Sequence, residues 1–273
     1  MIDSEKKWPK VLVCCPTYEG KDYCTDAWMK NVQGLSYPNY DIVIADNSEN
    51  KGGKYFKKLV KYGPGNARSI EVLQTRRAKT SRETIAKSRN QLLDYFKAGN
   101  YDYMMSIEID LLPPEDIIQD LMSYQLPVLT AMYEIGYNDK VGQVGDVGKY
   151  ALIQQAIRES TTSKQDNSHT EVHCPHCEKI LFIHNRTRQL TREEIDEFVD
   201  GSVKQVHACG VGCTLINKDI FKLVKEFRVD TKYNYHDDTF FYLDLWNNKV
   251  PVFLHTGYNI THDNSDWQAV SDY

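Results

Sequence analysis

The chain has 273 residues, of which 41% are hydrophobic and 26% are charged, a composition typical of a soluble globular protein with ample length for a core. Its 33 basic and 38 acidic residues give a formal net charge of −5 without a cationic block, so nothing in the sequence favours a nucleic-acid partner. No apolar run reaches about 18 residues, and the segment from Met1 to Lys10 is too polar for a signal peptide, which predicts a cytoplasmic protein without a membrane span.

The amino-terminal segment predicts a βαβ unit. Lys10 to Cys15 and Tyr40 to Ala45 are short apolar runs closed by turn residues, and both are typical of buried parallel strands. The segment from Asp22 to Gly34 between them carries apolar residues at helical spacing. Asp46 follows the second strand, where an acidic residue could bind the ribose or base of a nucleotide or simply close an Asx turn.

A long helix is predicted after a further strand at Ser69 to Gln74. From Ser81 to Ala98 the apolar side chains form one stripe, and Gly99 provides a stop signal. Arg89 lies within this helix, where it could orient an acidic loop or pair on the surface. Four basic residues precede or open the helix and could face a phosphate or form a solvated loop: Arg76, Arg77, Lys79 and Arg82.

The segment from Tyr101 to Pro114 predicts a buried strand that ends in two carboxylates, Glu108 and Asp110. Residues two apart on a strand point to the same face, so these acids can converge on one ligand where the sheet ends. Carboxylates at the carboxyl end of a strand in an open α/β sheet suit a Mg²⁺ or Mn²⁺ ion that carries a nucleotide diphosphate. The alternative is a solvated strand exit without a metal.

A zinc knuckle is predicted within an inserted, substrate-side region. Cys174 and Cys177 form a Cys-x-x-Cys turn before an apolar run, and the odd total of seven cysteines favours thiols or metal ligands over disulfides. The turn supplies two of the four ligands of tetrahedral zinc, whereas a redox role is the weaker alternative because the pair does not open a helix. Candidates for the remaining ligands are His169, His173, His176, His184, Cys209 and Cys213.

The carboxyl-terminal part predicts a glycine-interrupted strand at Gln205 to Ile216, which leads to a helix capped by Asn217, and a later strand at Val250 to His255. Between these strands, Asp237 and Asp238 precede a further predicted helix. Without other information, either aspartate could be no more than a helix cap or a first-turn acid.

Several of these segments, taken in chain order, resemble the GT-A glycosyltransferases, specifically the inverting enzymes of family 2. The resemblance rests on Pro16-Thr17-Tyr18, Asp46-Asn47-Ser48, Arg89-Asn90 and Glu108-Ile109-Asp110. It implies an α/β fold with a mixed, mostly parallel, Rossmann-like sheet flanked by helices. The residues that it implies for binding of the sugar-nucleotide donor are Pro16, Thr17, Tyr18, Asp46, Arg89, Glu108 and Asp110.

The same resemblance implies roles for the acidic residues and for a late histidine. Asp110, with Glu108, would hold the metal on the donor diphosphate, and His262 would complete the metal shell. Glu108 departs from the family, which usually has aspartate there, so it could reach the metal through water or bind the ribose. Asp238, the second member of the pair that begins with Asp237, takes the position of the catalytic base.

The predicted function is therefore metal-dependent, inverting transfer of a single sugar from a nucleotide-diphosphate sugar to an acceptor hydroxyl, with Mn²⁺ or Mg²⁺ as cofactor. Single-sugar transfer is favoured because the Gln-x-x-Arg-Trp pattern of processive synthases is missing. The alternatives are a nucleotidyltransferase, which should carry a glycine- and basic-rich loop after the first strand, and a non-catalytic zinc-knuckle interaction protein. One domain over 1–273 is predicted, with a donor-binding part at 10–135, the insert at 136–201 and an acceptor-side part at 202–273.

Overall fold

The computed structural model describes residues 8–133, 170–173, 180–184, 197–206, 208–230 and 236–263. Its helices are α1 (Asp22–Gln33), α2 (Lys54–Leu59), α3 (Ser81–Ala98), α4 (Ile117–Ser123) and α5 (Asp237–Asn247), with short 3-10 helices at Glu19–Lys21 and Lys218–Lys222. The strands are β1 (Val11–Thr17), β2 (Tyr40–Asp46), β3 (Ile70–Gln74), β4 (Tyr103–Ile107), β5 (Leu111–Leu112), β6 (Val128–Tyr133), β7 (Thr170–His173), β8 (Ile180–His184), β9 (Val203–Val206), β10 (Cys213–Asn217) and β11 (Val252–His262). Within these ranges, no helix combines the length and the hydropathy that crossing a membrane requires.

One large mixed sheet forms the centre of the fold. β3, β2, β1 and β4 lie side by side and run parallel. β10 reverses the direction, because it pairs antiparallel with both β4 and β6. β11 then runs parallel to β6 and pairs antiparallel with β5 and β9. The predicted mixed α/β sheet is confirmed, with the strand order β3-β2-β1-β4-β10-β6-β11-β5.

The continuous apolar runs predicted as strands are buried on both faces. Every residue of β2 is buried, as expected for a central parallel strand. On α1, Trp28 and Met29 are completely buried. α3 packs against β1 and β2, and it begins with a capping box in which Thr80 and Glu83 each accept a hydrogen bond from the other's backbone N–H. α3 is therefore fixed against two of the parallel strands, β1 and β2.

The two acidic residues after β4 do not share one strand face, contrary to the prediction. β4 ends at Ile107, and Glu108 begins a turn in which the Leu111 N–H donates to the Glu108 carbonyl over 3.0 Å. The Glu108 N–H donates to the Gly212 carbonyl over 2.7 Å. Because the chain turns between the two acids, Glu108 and Asp110 contact different partners.

The second half of the sheet also differs from the predicted elements. Residues 205–216 do not form one interrupted strand, since β9 pairs with β11 whereas β10 pairs with β4 and β6. Asn217 caps a short 3-10 helix and not a longer α-helix, and its side chain accepts from the Asp219 N–H over 2.9 Å. β11 continues to His262, beyond the predicted end at His255.

Part of the predicted insert forms a separate two-stranded sheet, in which β7 and β8 pair antiparallel. Cys174 and Cys177, which lie between these strands in the sequence, fall outside the described residues. Cys209 and Cys213 are buried free thiols of the main core, and burial raises the pKa of Cys209 to about 11. These two cysteines are therefore core residues, and their role as additional zinc ligands stays a prediction.

Candidate active site

A cleft of about 470 Å³ opens beside the carboxyl ends of β1 and β4 and the first turns of α3 and α5. In open α/β sheets, ligands bind at this end of the strands. The cleft brings together segments from the first and last thirds of the chain. The predicted site residues that line it are Pro16, Thr17, Tyr18, Arg89, Glu108, Asp110, Asp237, Asp238 and His262.

Asp110 lies between a lysine and a histidine. Its Oδ2 atom is 2.7 Å from Lys21 Nζ and 3.1 Å from His262 Nε2. Burial alone would raise the pKa of Asp110, but the contacts with His262 and Lys21 outweigh it and lower the pKa to about 2. Asp110 is therefore ionised at neutral pH. Lys21 was not predicted as a site residue, because a single lysine in a loop carries no sequence signal.

Arg89 connects the other two acidic segments. Its Nη2 donates to Glu108 Oε1 over 2.7 Å, and its Nη1 lies 3.3 Å from Asp237 Oδ2. Burial raises the pKa of Glu108, the Arg89 guanidinium opposes that rise, and the charge of Asp110 adds to it. Arg89 is itself buried, so it orients acidic residues inside the cleft and does not form a surface pair.

Asp237 and Asp238 open the same helix, but their surroundings differ. Asp237 is buried and paired with Arg89, whereas Asp238 is only half-buried. Asp238 Oδ1 accepts a hydrogen bond from the Thr239 N–H over 2.7 Å. Burial, followed by the charge of Asp237, raises the pKa of Asp238 to about 6. A carboxyl group with this pKa can accept a proton near neutral pH, as a general base must.

Thr17 Oγ1 and Asp46 Oδ1 are both hydrogen-bonded within the protein. The Tyr55 hydroxyl lies 2.8 Å from Thr17 Oγ1 and 2.8 Å from Thr25 Oγ1, in the core beneath the cleft. Asp46 does not line the cleft, and its Oδ1 accepts from the Ser48 N–H over 2.9 Å. Of the two alternatives predicted for Asp46, the Asx turn is therefore present. Contact of either residue with a nucleotide stays a prediction.

Tyr18 and Arg77 form one wall of the cleft. The Arg77 Cζ atom lies 5.8 Å from the centroid of the Tyr18 ring. A Cβ atom at Gly20 would be only 2.4 Å from Tyr18 Cε2, so the ring occupies space that a glycine leaves open. An aromatic face beside a guanidinium offers a flat surface on which a base can stack.

Gly212, which directly precedes β10, supports Glu108. Its N–H donates to the Tyr133 hydroxyl over 3.3 Å, and its carbonyl accepts from the Glu108 N–H. A Cβ atom at Gly212 would lie 2.7 Å from the Tyr133 hydroxyl and 2.9 Å from Glu108 Oε2. The predicted glycine-containing segment thus has a steric role: the backbone must approach both side chains closely.

We expect Gly212→Ala to lower the free energy of unfolding by about 1–3 kcal/mol, because the added methyl group must displace the Tyr133 ring or the Glu108 carboxylate. Urea denaturation measures this directly. Gly63→Ala is the matched control, since a Cβ atom there meets nothing within 4 Å. Equal stabilities of the two variants would show that the packing around Gly212 is looser than the distances indicate.

The ligand set around Asp110 fits a divalent cation that takes its other ligands from water and substrate. In the part of the chain that the structure describes, no three His, Cys, Asp or Glu side chains gather into a complete metal site. Asp110 Oδ1, however, is buried and has no hydrogen-bond partner among the described residues, and His262 lies beside it. A carboxylate oxygen and an imidazole suit Mn²⁺, and Mg²⁺ also keeps several waters or phosphate oxygens when it is bound by few side chains.

The net charge of the side chains that line the cleft also favours a bound cation. Four carboxylates face three lysine and arginine side chains, which leaves a net charge of −1 when both lining histidines are neutral. A diphosphate would add more negative charge to this cleft. Its binding would therefore be favoured by a further cation.

Comparisons with known proteins give a match in structure but not in sequence. No family model matches the chain, and no curated protein sequence matches it. The crystal structure of S. aureus TarS 1-349 has a TM-score of 0.50 and 14% identity, over 96% of this chain and 63% of that one. This comparison shows the fold, and the predicted resemblance to glycosyltransferases is confirmed at that level.

Two further structures are similar with slightly lower scores. TarS 1-349 in complex with UDP-GlcNAc has a TM-score of 0.49 and 14% identity, over 92% of this chain and 58% of that one. The mannosyltransferase PcManGT from Pyrobaculum calidifontis, in complex with GDP-Man and Mn²⁺, has a TM-score of 0.48 and 10% identity, over 86% of this chain and 51% of that one. The chain thus spans less than two thirds of the length of each of these proteins.

Proposed function

We propose that this protein is a metal-dependent glycosyltransferase that moves one sugar from a nucleotide-diphosphate sugar to an acceptor hydroxyl, with inversion at the anomeric carbon. One observation carries the proposal: the Asp110–His262 pair and the raised-pKa carboxyl group of Asp238 line the same cleft. The pair suits a divalent cation on a diphosphate, and the carboxyl group suits a general base. Metal-dependent, inverting glycosyl transfer uses both.

In this proposal the donor lies along β1 and the turn after β4. Tyr18 and Arg77 provide the surface for the base of the nucleotide. Asp110 and His262 hold the divalent cation, which when bound stabilises the negative charge that grows on the departing diphosphate. Arg89 is a positioning residue, because it holds Glu108 on one side of the cleft and Asp237 on the other.

Asp238 takes the proton of the acceptor hydroxyl. As that proton leaves, a bond forms between the acceptor oxygen and the anomeric carbon, and the bond from this carbon to the diphosphate oxygen breaks. In-line attack on the side opposite the leaving group inverts the anomeric centre. Asp237 is less suited to this step, since its carboxylate is already paired with the Arg89 guanidinium.

The proposal is tested with a panel of nucleotide sugars that includes UDP-GlcNAc and GDP-Man, the ligands named for the two similar complexes. We expect at least one donor to release nucleoside diphosphate, and we expect chelation to stop the release and Mn²⁺ to restore it. NMR of the product then reports the anomeric configuration, and retention would contradict the inverting mechanism. Formation of a nucleotide sugar and pyrophosphate from a nucleoside triphosphate would instead identify a nucleotidyltransferase. Inactivity with every substrate would contradict the enzymatic proposal.

For the insert, we propose that Cys174 and Cys177 bind a structural zinc ion. Elemental analysis of protein purified without a chelator should then find zinc, and the double variant Cys174→Ser/Cys177→Ser should lose it. Donor binding should persist in the double variant, because the residues proposed to bind the donor and its metal lie on other segments of the chain. The finding of no zinc in the unmodified protein would reject the knuckle.

A further inference from the structure

Lys21 reaches from the short 3-10 helix after β1 to the carboxylate that the proposed metal site needs. Its ammonium lies 2.7 Å from Asp110 Oδ2 and 3.4 Å from the Tyr23 hydroxyl. The side chains of Lys21 and Asp110 are only 13% and 6% exposed. This is therefore a largely desolvated ion pair inside the cleft and not a surface contact.

The position of this ammonium conflicts with a divalent cation. His262 Nε2 lies 3.1 Å from the same Asp110 oxygen, so a metal ion bound by Asp110 and His262 would sit within a few ångströms of Lys21 Nζ. Like charges at such a distance repel strongly where little water screens them. The Lys21–Asp110 contact and metal binding at Asp110 thus weaken one another.

Lys21 can leave Asp110 without any change in the fold. Its backbone is held in place, because the Lys21 carbonyl accepts hydrogen bonds from Thr25 Oγ1 over 2.9 Å and from Cys24 Sγ over 3.3 Å. Only the flexible four-carbon side chain has to rotate. Lys21 lines the cleft, and there a diphosphate would offer its ammonium a new anionic partner.

We propose that Lys21 competes with the divalent cation for Asp110 and gives up this carboxylate when a nucleoside diphosphate enters the cleft. The inference rests on the proposed function and adds to it that the nucleotide assists the binding of the metal. Without nucleotide, Lys21 satisfies Asp110 and keeps metal affinity low. With nucleotide, the ammonium moves to the diphosphate, Asp110 becomes available, and metal and nucleotide bind cooperatively.

Binding of Mn²⁺ to the full chain, followed by electron paramagnetic resonance with and without UDP or GDP, tests the proposal. For the unmodified protein, we expect one of the two nucleotides to raise Mn²⁺ affinity by about 5- to 150-fold, a typical range for coupled sites. Lys21→Met should raise Mn²⁺ affinity without nucleotide by a similar factor and reduce the further gain from nucleotide. Lys21→Gln removes the charge but keeps a polar partner for Asp110, so it provides a second variant with the same expected result.

Lys10→Met is the matched control, because Lys10 Nζ also lies 2.7 Å from a buried carboxylate, Asp41, which does not line the cleft. Its Mn²⁺ binding should equal that of the unmodified protein. If neither Lys21 variant binds Mn²⁺ more tightly without nucleotide, the competition is overturned while the proposed function stands. If no protein binds Mn²⁺ with UDP, with GDP or alone, the metal-dependent function fails and the competition fails with it.

Discussion

Replacement of Asp238 by asparagine is expected to lower turnover by about 10²- to 10⁴-fold, with donor and metal affinity near those of the unmodified protein. The amide cannot accept the proton of the acceptor hydroxyl, whereas the Asp110–His262 pair on the other segments is unchanged. Steady-state rates combined with calorimetry of nucleoside diphosphate binding measure both effects. If Asp238→Asn keeps normal turnover and Asp237→Asn loses it, the base is one residue earlier than proposed.

The same assignment predicts opposite pH dependences for activity and stability. Asp238 must be ionised to act as a base, so kcat/KM should fall as the pH drops through about 6. The folded-state pKa of Asp238 is raised above its unfolded value, so the protonated carboxyl group stabilises the folded protein at low pH. This stabilisation is lost as the pH rises through about 6. Asp238→Asn removes the partly desolvated charge of Asp238, and the Tm of this variant at about pH 8 should therefore equal or exceed that of the unmodified protein.

A matched control for Asp238 lies on the same helix. Asp244 accepts a hydrogen bond from Arg228 Nη2 over 2.7 Å at its Oδ1 atom and does not line the cleft. Asp244→Asn should lower stability and leave turnover nearly unchanged, the reverse of the result expected for Asp238→Asn. Similar losses of turnover in both variants would indicate that the integrity of α5, and not proton transfer, explains the effect.

The elements predicted best from the sequence are those whose apolar pattern and end signals lie within the element itself. The helix from Ser81 to Ala98 has the predicted bounds, because its apolar stripe and its Thr80–Glu83 capping box are both encoded within the segment itself. β1 and β2 lie within two residues of their predicted positions, since buried parallel strands are continuous apolar runs between turn residues.

The contacts that make the cleft could not be predicted in the same way, because they join residues that are distant in the sequence. Lys21 and Asp110 are brought together by the parallel pairing of β1 and β4, and the Glu108–Gly212 contact requires the antiparallel insertion of β10 beside β4. The resemblance did predict most of the residues that line the cleft. It did not predict their pairing, for example that Arg89 contacts both Glu108 and Asp237.

Replacement of Asp110 by asparagine is expected to abolish Mn²⁺-dependent donor binding. The substitution removes the negative charge that a divalent cation requires, at a cleft carboxylate whose Oδ2 atom lies 3.1 Å from His262 Nε2. It also removes the ionised carboxylate of the Lys21–Asp110 ion pair, so a lower Tm is expected as well. Calorimetry with UDP or GDP and Mn²⁺, carried out well below the Tm of the variant, separates the loss of binding from the loss of stability.

Asp41→Asn controls for the second effect. Asp41 is paired with Lys10 over the same distance as Asp110 with Lys21, 2.7 Å, and the two carboxylates are equally buried, at 6% exposure of the side chain. Asp41 also accepts a hydrogen bond from the Tyr101 hydroxyl, remote from the cleft lining. Asp41→Asn should therefore lose stability to a similar extent but retain Mn²⁺-dependent binding. If folded Asp110→Asn binds donor and Mn²⁺ as tightly as Asp41→Asn does, Asp110 is only a structural partner of Lys21, and the metal must be held elsewhere.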